Sequence, residues 1–403
     1  MAAVSGIDWA AEWHDVDIAD AHGTRLLAAR FAHDERGICA LIAALREQRV
    51  CRVAIERPDG LLVGRLLAAG ITVLAIHPNQ LAAARDRFRA AAGKSDPFDS
   101  FVLRELCRTD SHRFPALAPC SDETLALRAL VRAREDLVAA RVALANQLRA
   151  QLDAAWPGAT KIFNEIDSPI ALAFLSRYPS HADAHALGPK RLDGFLARHG
   201  YCGRQTPEQL LGRLRSAPTP ALGEHESDAR RSAIVGLVSA LEPLVAQISQ
   251  LTGEIRGAMH RHPDGPIFLS FFRDPKSVIC AAGLLAEIGD NRARYPTPDT
   301  LAADAGHAPV TKKSGKHHAV GFRWACDKRL RNHIGVLADA TRRWHPWAHD
   351  VYQRASDRGA DHPHATRILG RAWTRVLWKC WQDRVPYDPT QHRALTRHLA
   401  RQG

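Results

Sequence analysis

Hydrophobic and polar positions alternate along the first thirty residues and then switch to a helical rhythm. "VSGIDWA", "HDVDIAD" and, after the turn "AHG", "TRLLAARF" alternate with a period near two, which predicts three short strands in an antiparallel meander. "DERGICALIAALREQ" has apolar residues at helical spacing, with Asp34 placed to cap its start. "CRVAIE" and "ITVLAI" are compact β-branched runs and predict buried strands. Between and after them, "DGLLVGRLLAAG", closed by Gly70, and "NQLAAARDRFRAAAG" predict helices. From about residue 121 the character changes. "SDETLALRALVRAREDLVAARVALANQLRAQLDAAW" contains no Gly or Pro and predicts one long amphipathic helix, either an arm of a coiled coil or a plain bundle helix. Residues 157–225 are broken by Pro and Gly and predict short helices. "DARRSAIVGLVSALEPLVAQISQLTGEIRGAMH" predicts a second long helix able to pair antiparallel with the first.

Meander, helix, strand, helix, strand, helix is the order of an RNase H-like α/β sheet. The expected fold is therefore α/β plus all-α: an RNase H-like domain over 1–115, a helical, coiled-coil-like middle over 116–265, and a helical C-terminal domain over 266–403. Charge narrows the function. The 403 residues hold 55 Lys and Arg against 43 Asp and Glu, a net +12, with 21 His besides; such an excess points to a polyanionic partner. The eight cysteines form no CxxC pair, so reduced thiols are expected, neither disulfides nor a zinc cage. The first twenty residues carry acids and lack a basic segment followed by an apolar core, and no uncharged apolar run reaches ~18 residues. A cytoplasmic, nucleic-acid-handling protein is the leading class.

Four acids carry candidate chemistry. Asp8 lies within the first strand between Ile7 and Trp9, where a carboxylate is costly unless paired or bound to metal. Glu56 ends "CRVAIE", which is expected beside the first strand. Asp96 and Asp99, in "KSDPFDS", start a helix three residues apart and so share a face. Carboxylates converging from two strands and a helix start are the layout of a two-metal phosphodiester site, and Mg²⁺ takes carboxylate oxygens while keeping water. Each acid alone has an ordinary explanation: a strand-end acid at Asp8, an arginine partner for Glu56, a helix cap at Asp96 or Asp99.

"GIDWA", "AIERPDG" and "KSDPFDS" resemble, in order and spacing, the motifs of DEDD transposases of the insertion-sequence 110 family (IS-110, IS-116 and IS-902 type). The resemblance maps Asp8, Glu56, Asp96 and Asp99 onto the four acids that name the group and implies a RuvC-like N-terminal domain. A second block, "AAGLLAEIGDNRARYPTPDTLAADAGHAPVTKKSGKHHAVGFRWACDKRLRNHIGVLADAT", resembles the family's C-terminal domain, so the likeness covers roughly 4–110 and 266–385. In that family the serine of the Ser-Gly is the proposed nucleophile, which maps to Ser314. Two departures stand out: "FRDPKSVICAAGLL" lacks the family's Pro-Gly-Ile-Gly hairpin, and His307 in "AGHAP" replaces an apolar residue.

A serine hydroxyl needs a base or metal to take its proton and cations to stabilise a pentavalent phosphate. Lys312, Lys313, Lys316 and His317 are candidates for that role, and Gly315 permits close backbone approach. "FRWACDKRLRNHIGVLADATRRWHPW" and "ATRILGRAWTRVLWKCWQDR" interleave cations with tryptophan. Arg323, Arg329, Arg331, Arg342 and Arg343 are candidate phosphate contacts, while at helical spacing most of the tryptophans belong to the core. The paired histidines, His260 with His262 among them, have no four-ligand set with cysteine and are expected at the surface or facing DNA. No base-reading motif is present, and the resemblance implies a non-coding guide RNA that pairs with DNA while the protein reads backbone and shape. The leading reading is thus a Mg²⁺-dependent transposase acting on DNA as a homo-oligomer, dimer or tetramer, joined through the long helices. A junction nuclease using the acids alone, with no covalent intermediate, and a nucleic-acid-binding protein with a decayed site are the alternatives; the intact acids and Ser-Gly argue against decay.

Overall fold

The computed structural model describes residues 3–56, 59–88, 95–114, 116–117, 119–274, 277–314 and 317–400, with 312–314 and 317–320 described by backbone only. The chain divides into two compact units, residues 1–121 with 291–296, and residues 122–290 with 297–403.

In the first unit the meander forms as its alternation predicts: β1 (Ala3–Trp9), β2 (Trp13–Ala19) and β3 (Arg25–Ala32) run antiparallel. Then follow α1 (Glu35–Glu47), β4 (Val50–Ile55), α2 (Leu61–Ala68), β5 (Thr72–Ala75), α3 (Pro78–Phe88) and α4 (Asp96–Asp110). The sheet order is β3-β2-β1-β4-β5, with β1, β4 and β5 parallel. Asp34 caps α1 by accepting from the Gly37 amide at 2.7 Å, and Gly70, at φ +77, turns the chain after α2.

Because strand side chains alternate between faces, the sheet is covered twice. Ile7, Val53 and Ile55 face a core completed by Ile38, Leu41 and Leu45 of α1 and Leu62 and Leu66 of α2. Val4 and Ala54 face the opposite core, with Leu81 of α3 and Val102 and Leu103 of α4. This pleat decides where the acids go. Asp8 follows Val4 by four residues and Glu56 follows Ala54 by two, so both belong to the α3/α4 side.

The second unit is built on α5 (Asp122–Ala155) and α10 (Glu224–Arg261), of 34 and 38 residues. At 1.5 Å per residue each exceeds about 50 Å. Buried Ile234, Val238, Leu241, Ile248, Leu251 and Ile255 step along α10 by threes, fours and sevens, the seam of a coiled-coil-like pairing, and α10 packs on α5. One 18-residue window of α10 has mean hydropathy 1.5, long and apolar enough to cross a membrane by composition alone. Short helices α6 (Ala159–Ile162), α7 (Pro169–Arg177), α8 (Pro189–Arg198) and α9 (Pro207–Arg215) close a core around Phe174 and Phe195 with Leu148, Leu152 and Leu241.

After α10 come α11 (Gly265–Leu269), α12 (Val278–Ile288), α13 (Pro298–Asp304), β6 (Val310–Ser314), β7 (His317–Gly321), α14 (Lys328–Thr341), α15 (Pro346–Asp357), α16 (His362–Asp383) and α17 (Arg393–Leu399). Helix α12 is buried almost throughout and takes Glu287 inside with it; Arg132 of α5 meets that carboxylate at 2.7 and 2.9 Å. The hairpin β6–β7 departs from the all-helical expectation for this segment. Polar Lys312, Lys313 and Ser314 and the histidines His317 and His318 offer no apolar helical face to bury, and backbone pairing between the two strands satisfies their amides instead.

Two histidines also differ from the surface expectation or explain an oddity. His262 is buried, its Nε2 2.8 Å from the Thr124 hydroxyl. His307 is 6% exposed, and neither ring nitrogen has a hydrogen-bond partner among the described residues. Gly370 on α16 makes room for it, since a Cβ there would lie 2.7 Å from its Nε2. Burial, with repulsion from Arg367 and Arg331, pushes its pKa down to about 4. The neutral ring is the folded form, so its contribution is fully present above pH ~6.5 and is lost as pH falls toward 4. His307→Leu is therefore expected to leave stability at pH 7 unchanged or higher and to weaken its decline between pH 6.5 and 4. Calorimetric midpoints across that range check this; a variant clearly less stable at pH 7 contradicts it.

Candidate active site

The end of β1 sits at the C-terminal edge of the sheet's centre. Ile7 pairs with Ile55 of β4, so Asp8 and Glu56, one residue further on each parallel strand, emerge side by side from the same edge. Helix α4 crosses β1 on that face with little clearance. A Cβ on Gly6 would fall 2.1 Å from the Ser100 carbonyl oxygen and 2.2 Å from the Arg104 amide nitrogen. The glycine of "GIDWA" thereby brings the first turn of α4, with Asp96 and Asp99, over the end of the strand. Acids in a first helical turn are favoured by the helix dipole.

The four acids differ in their surroundings. Asp99 is 1% exposed, and its two oxygens accept from Arg85 of α3, Nε to Oδ1 at 2.5 Å and Nη2 to Oδ2 at 2.7 Å. Those hydrogen bonds hold the Arg85 guanidinium protonated beyond its ordinary range, with added attraction from Glu56 and Asp8. Asp96 is half exposed and lies 3.9 Å from Arg30 of β3. Arg30 is itself held by Asp15 of β2, at 2.8 and 3.2 Å, and Asp15 is the cross-strand neighbour of Asp8. Behind this edge lies a buried charge network: Arg104 reaches Asp17 at 2.8 Å and Glu105 at 2.7 Å. It anchors α4 to β2, since removing one partner of a buried pair costs about 3–5 kcal/mol.

Hard carboxylate oxygens around a shared positive charge are the right donors for a divalent cation in kind. As arranged, no three Asp, Glu, His or Cys side chains among the described residues are close enough to cage an ion. The positive charge at Asp99 is supplied by Arg85.

In the second unit, Ser314 is the last residue of β6 and pairs with His317 across the hairpin tip. Lys313 pairs with His318 and Lys312 with Ala319, so Lys312 and Ser314 occupy strand positions of one parity and Lys313 the other. Gly315 and Lys316, between the strands, lie outside the described residues. Of the arginines singled out from sequence, Arg329 is engaged by Glu135 and by Asp136, the latter at 2.7 Å. Arg323 donates to the Ala308 carbonyl at 3.4 Å. Arg331 and Arg367 both lie over the Phe322 ring, at 5.1 and 5.0 Å. Trp324, beside Phe322, is 77% exposed, whereas Trp373 and Trp381 are core. Arg85, Arg30 and the exposed state of Trp324 escaped sequence reading. Arg85 stands in a helix of ordinary amphipathic composition, and nothing in its spacing reveals which carboxylate it meets.

Comparison with known proteins agrees with both motif blocks. A DEDD-type IS110 family model, described as "Transposase", matches residues 5–157. A second, "Transposase IS116/IS110/IS902 family", matches residues 277–353. The "Mini-circle putative transposase for IS117" of Streptomyces coelicolor is 34% identical over 399 residues, 96% of each chain. The "Insertion element IS900 uncharacterized 42 kDa protein" of Mycobacterium paratuberculosis is 26% identical over 96% of this chain and 97% of its own. The "Insertion element IS116 uncharacterized 44.8 kDa protein" of Streptomyces clavuligerus is 26% identical over 95% and 96%.

Proposed function

The chain belongs to the IS116/IS110/IS902 family of transposases, enzymes that cleave and rejoin DNA, and from that premise we propose how it does so. The first unit is an RNase H-like, RuvC-type domain in which Asp8, Glu56, Asp96 and Asp99 hold divalent metal, Mg²⁺ in this reading. The observation that carries it is the shared edge: two acids leave adjacent parallel strands on one face, and α4 brings the others over them through the Gly6 contact. When bound, the metal would activate an attacking oxygen and stabilise a departing one.

Ser314 is the nucleophile. Attack of its Oγ on the scissile phosphorus forms an Oγ–P ester as the P–O bond to the departing strand breaks and that strand's oxygen gains a proton. The ester retains the energy of the cut bond, so a hydroxyl from another strand can displace the serine and rejoin DNA without ATP. Lys312, Lys313, Gly315 and Lys316 contact the backbone at the hairpin, and Arg323 and Arg331 do so beside it; Arg329, tied to two acids, orders α14 against α5. Target choice falls to an element-encoded guide RNA, and exchange of several strands calls for a homo-oligomer joined through α5 and α10. The enzyme acts in the cytoplasm, on the nucleoid.

Trapping a covalent protein–DNA adduct tests this. Purified protein, Mg²⁺, the element's DNA ends and its RNA are expected to give an adduct on denaturing gels, absent from Ser314→Ala and from Asp8→Ala. Cleavage that survives Ser314→Ala with no adduct overturns the nucleophile and favours a nuclease acting through the acids alone.

A further inference from the structure

We propose that Arg85 is a displaceable counter-ion of the acid site, which Asp99 exchanges for a divalent cation. The inference rests on reading Asp8, Glu56 and Asp99 as metal ligands, and it accounts for why the described acids do not yet form a cage.

Asp99 is almost fully buried, and a carboxylate withdrawn from water needs compensating charge. Arg85 supplies it by a two-pronged pair that uses both oxygens. The lone pairs that a guanidinium fork occupies are those a cation would take, so full engagement of one excludes the other. Asp8 and Glu56 act on the same guanidinium, which places it in the field of the site and not merely beside one acid.

Arg85 is also built to leave. It comes from α3, an element that supplies none of the four acids, and its side chain is 22% exposed, so rotamer changes carry the head outward without moving backbone. Its hydrogen bonds among the described residues are both to Asp99. Arg30 on the other flank differs, because the carboxylate that holds it, Asp15, is not one of the four acids and has no cation to exchange it for. A DNA phosphate is the anion that would receive Arg85 once it releases Asp99. Metal loading and DNA binding are then coupled: each makes the other more favourable by the same factor.

Calorimetric titration of the full chain with Mn²⁺, with and without a duplex of the element's end, tests the exchange. Arg85→Gln is expected to bind Mn²⁺ roughly tenfold or more tightly than wild type without DNA, having lost the competing cation. DNA is expected to tighten Mn²⁺ binding in wild type and not in Arg85→Gln. Arg85→Lys, which keeps the charge but not the fork, is expected to fall between them, and it serves if the glutamine variant fails to fold. Equal or weaker Mn²⁺ binding by a folded Arg85→Gln overturns the exchange, leaving Arg85 as a support for Asp99. If wild type, both Arg85 variants and Asp99→Asn all bind no Mn²⁺ in any condition, the four-acid reading itself fails, and the exchange with it.

Discussion

Asp8→Asn is expected to lower DNA strand cleavage by roughly 10³-fold or more while leaving the fold intact. The substitution keeps shape and removes charge at the one acid that stands at the end of the central strand, beside Glu56 and under α4. Asparagine keeps the side chain's size and can still accept a hydrogen bond, so the strand is expected to stay in place. What it cannot do is bind a hard cation with a full negative charge. Cleavage of the element's ends, measured beside a circular-dichroism melt, separates the two effects. A folded Asp8→Asn protein that cuts at near wild-type rate would remove Asp8 from the active site.

Gly6→Ala is expected to act through structure, and strongly. The added methyl would meet the Ser100 carbonyl oxygen at 2.1 Å and the Arg104 amide nitrogen at 2.2 Å. Both are backbone atoms of α4, so no rotamer change relieves the clash and the helix must lift from the sheet. That movement disturbs the Arg104–Asp17 pair, 3% and 2% exposed, and carries Asp99 away from Asp8. Overpacking of this kind costs about 3 kcal/mol or more, a fall of about 10 °C or more in the midpoint of a unit this size. Gly64→Ala is the matched control. It lies on α2 with nothing within 4 Å of the new Cβ, and it is expected to be neutral or to stabilise by about 0.5–1 kcal/mol. Thermal melts of the two variants decide it: equal midpoints would mean that α4 does not approach β1 as closely as the structure has it.

Much of the architecture was legible along the chain because its signals are local. Period-two alternation marks β1 to β3, β-branched runs mark β4 and β5, Asp34 marks the start of α1, and long amphipathic runs mark α5 and α10. The order of the acids was legible as well, since Asp8 and Glu56 close strands and Asp96 and Asp99 open a helix. Other features depended on partners far away in sequence. His262 reads as a surface histidine until Thr124, 138 residues earlier, is found 2.8 Å from its ring. Arg329 reads only as a candidate phosphate contact, and its ion pairs with Glu135 and Asp136, 194 and 193 residues earlier, could not be read from spacing.

By itself, then, the sequence determined the elements, the meander that begins the sheet, the acids at strand and helix ends, and the family, each through a pattern a few residues long. Only the tertiary structure decided that Gly6 is the point of contact for α4, that Arg85 neutralises Asp99, that Ser314 closes one strand of a hairpin, and that Trp324 alone among the C-terminal tryptophans stands mostly in solvent. The physical reason is the same in each case. Hydrogen-bond periodicity is set by neighbours in the chain, whereas the partner of a buried charge, the clearance beneath a helix and the exposure of a ring are set by whichever distant segments packing brings together.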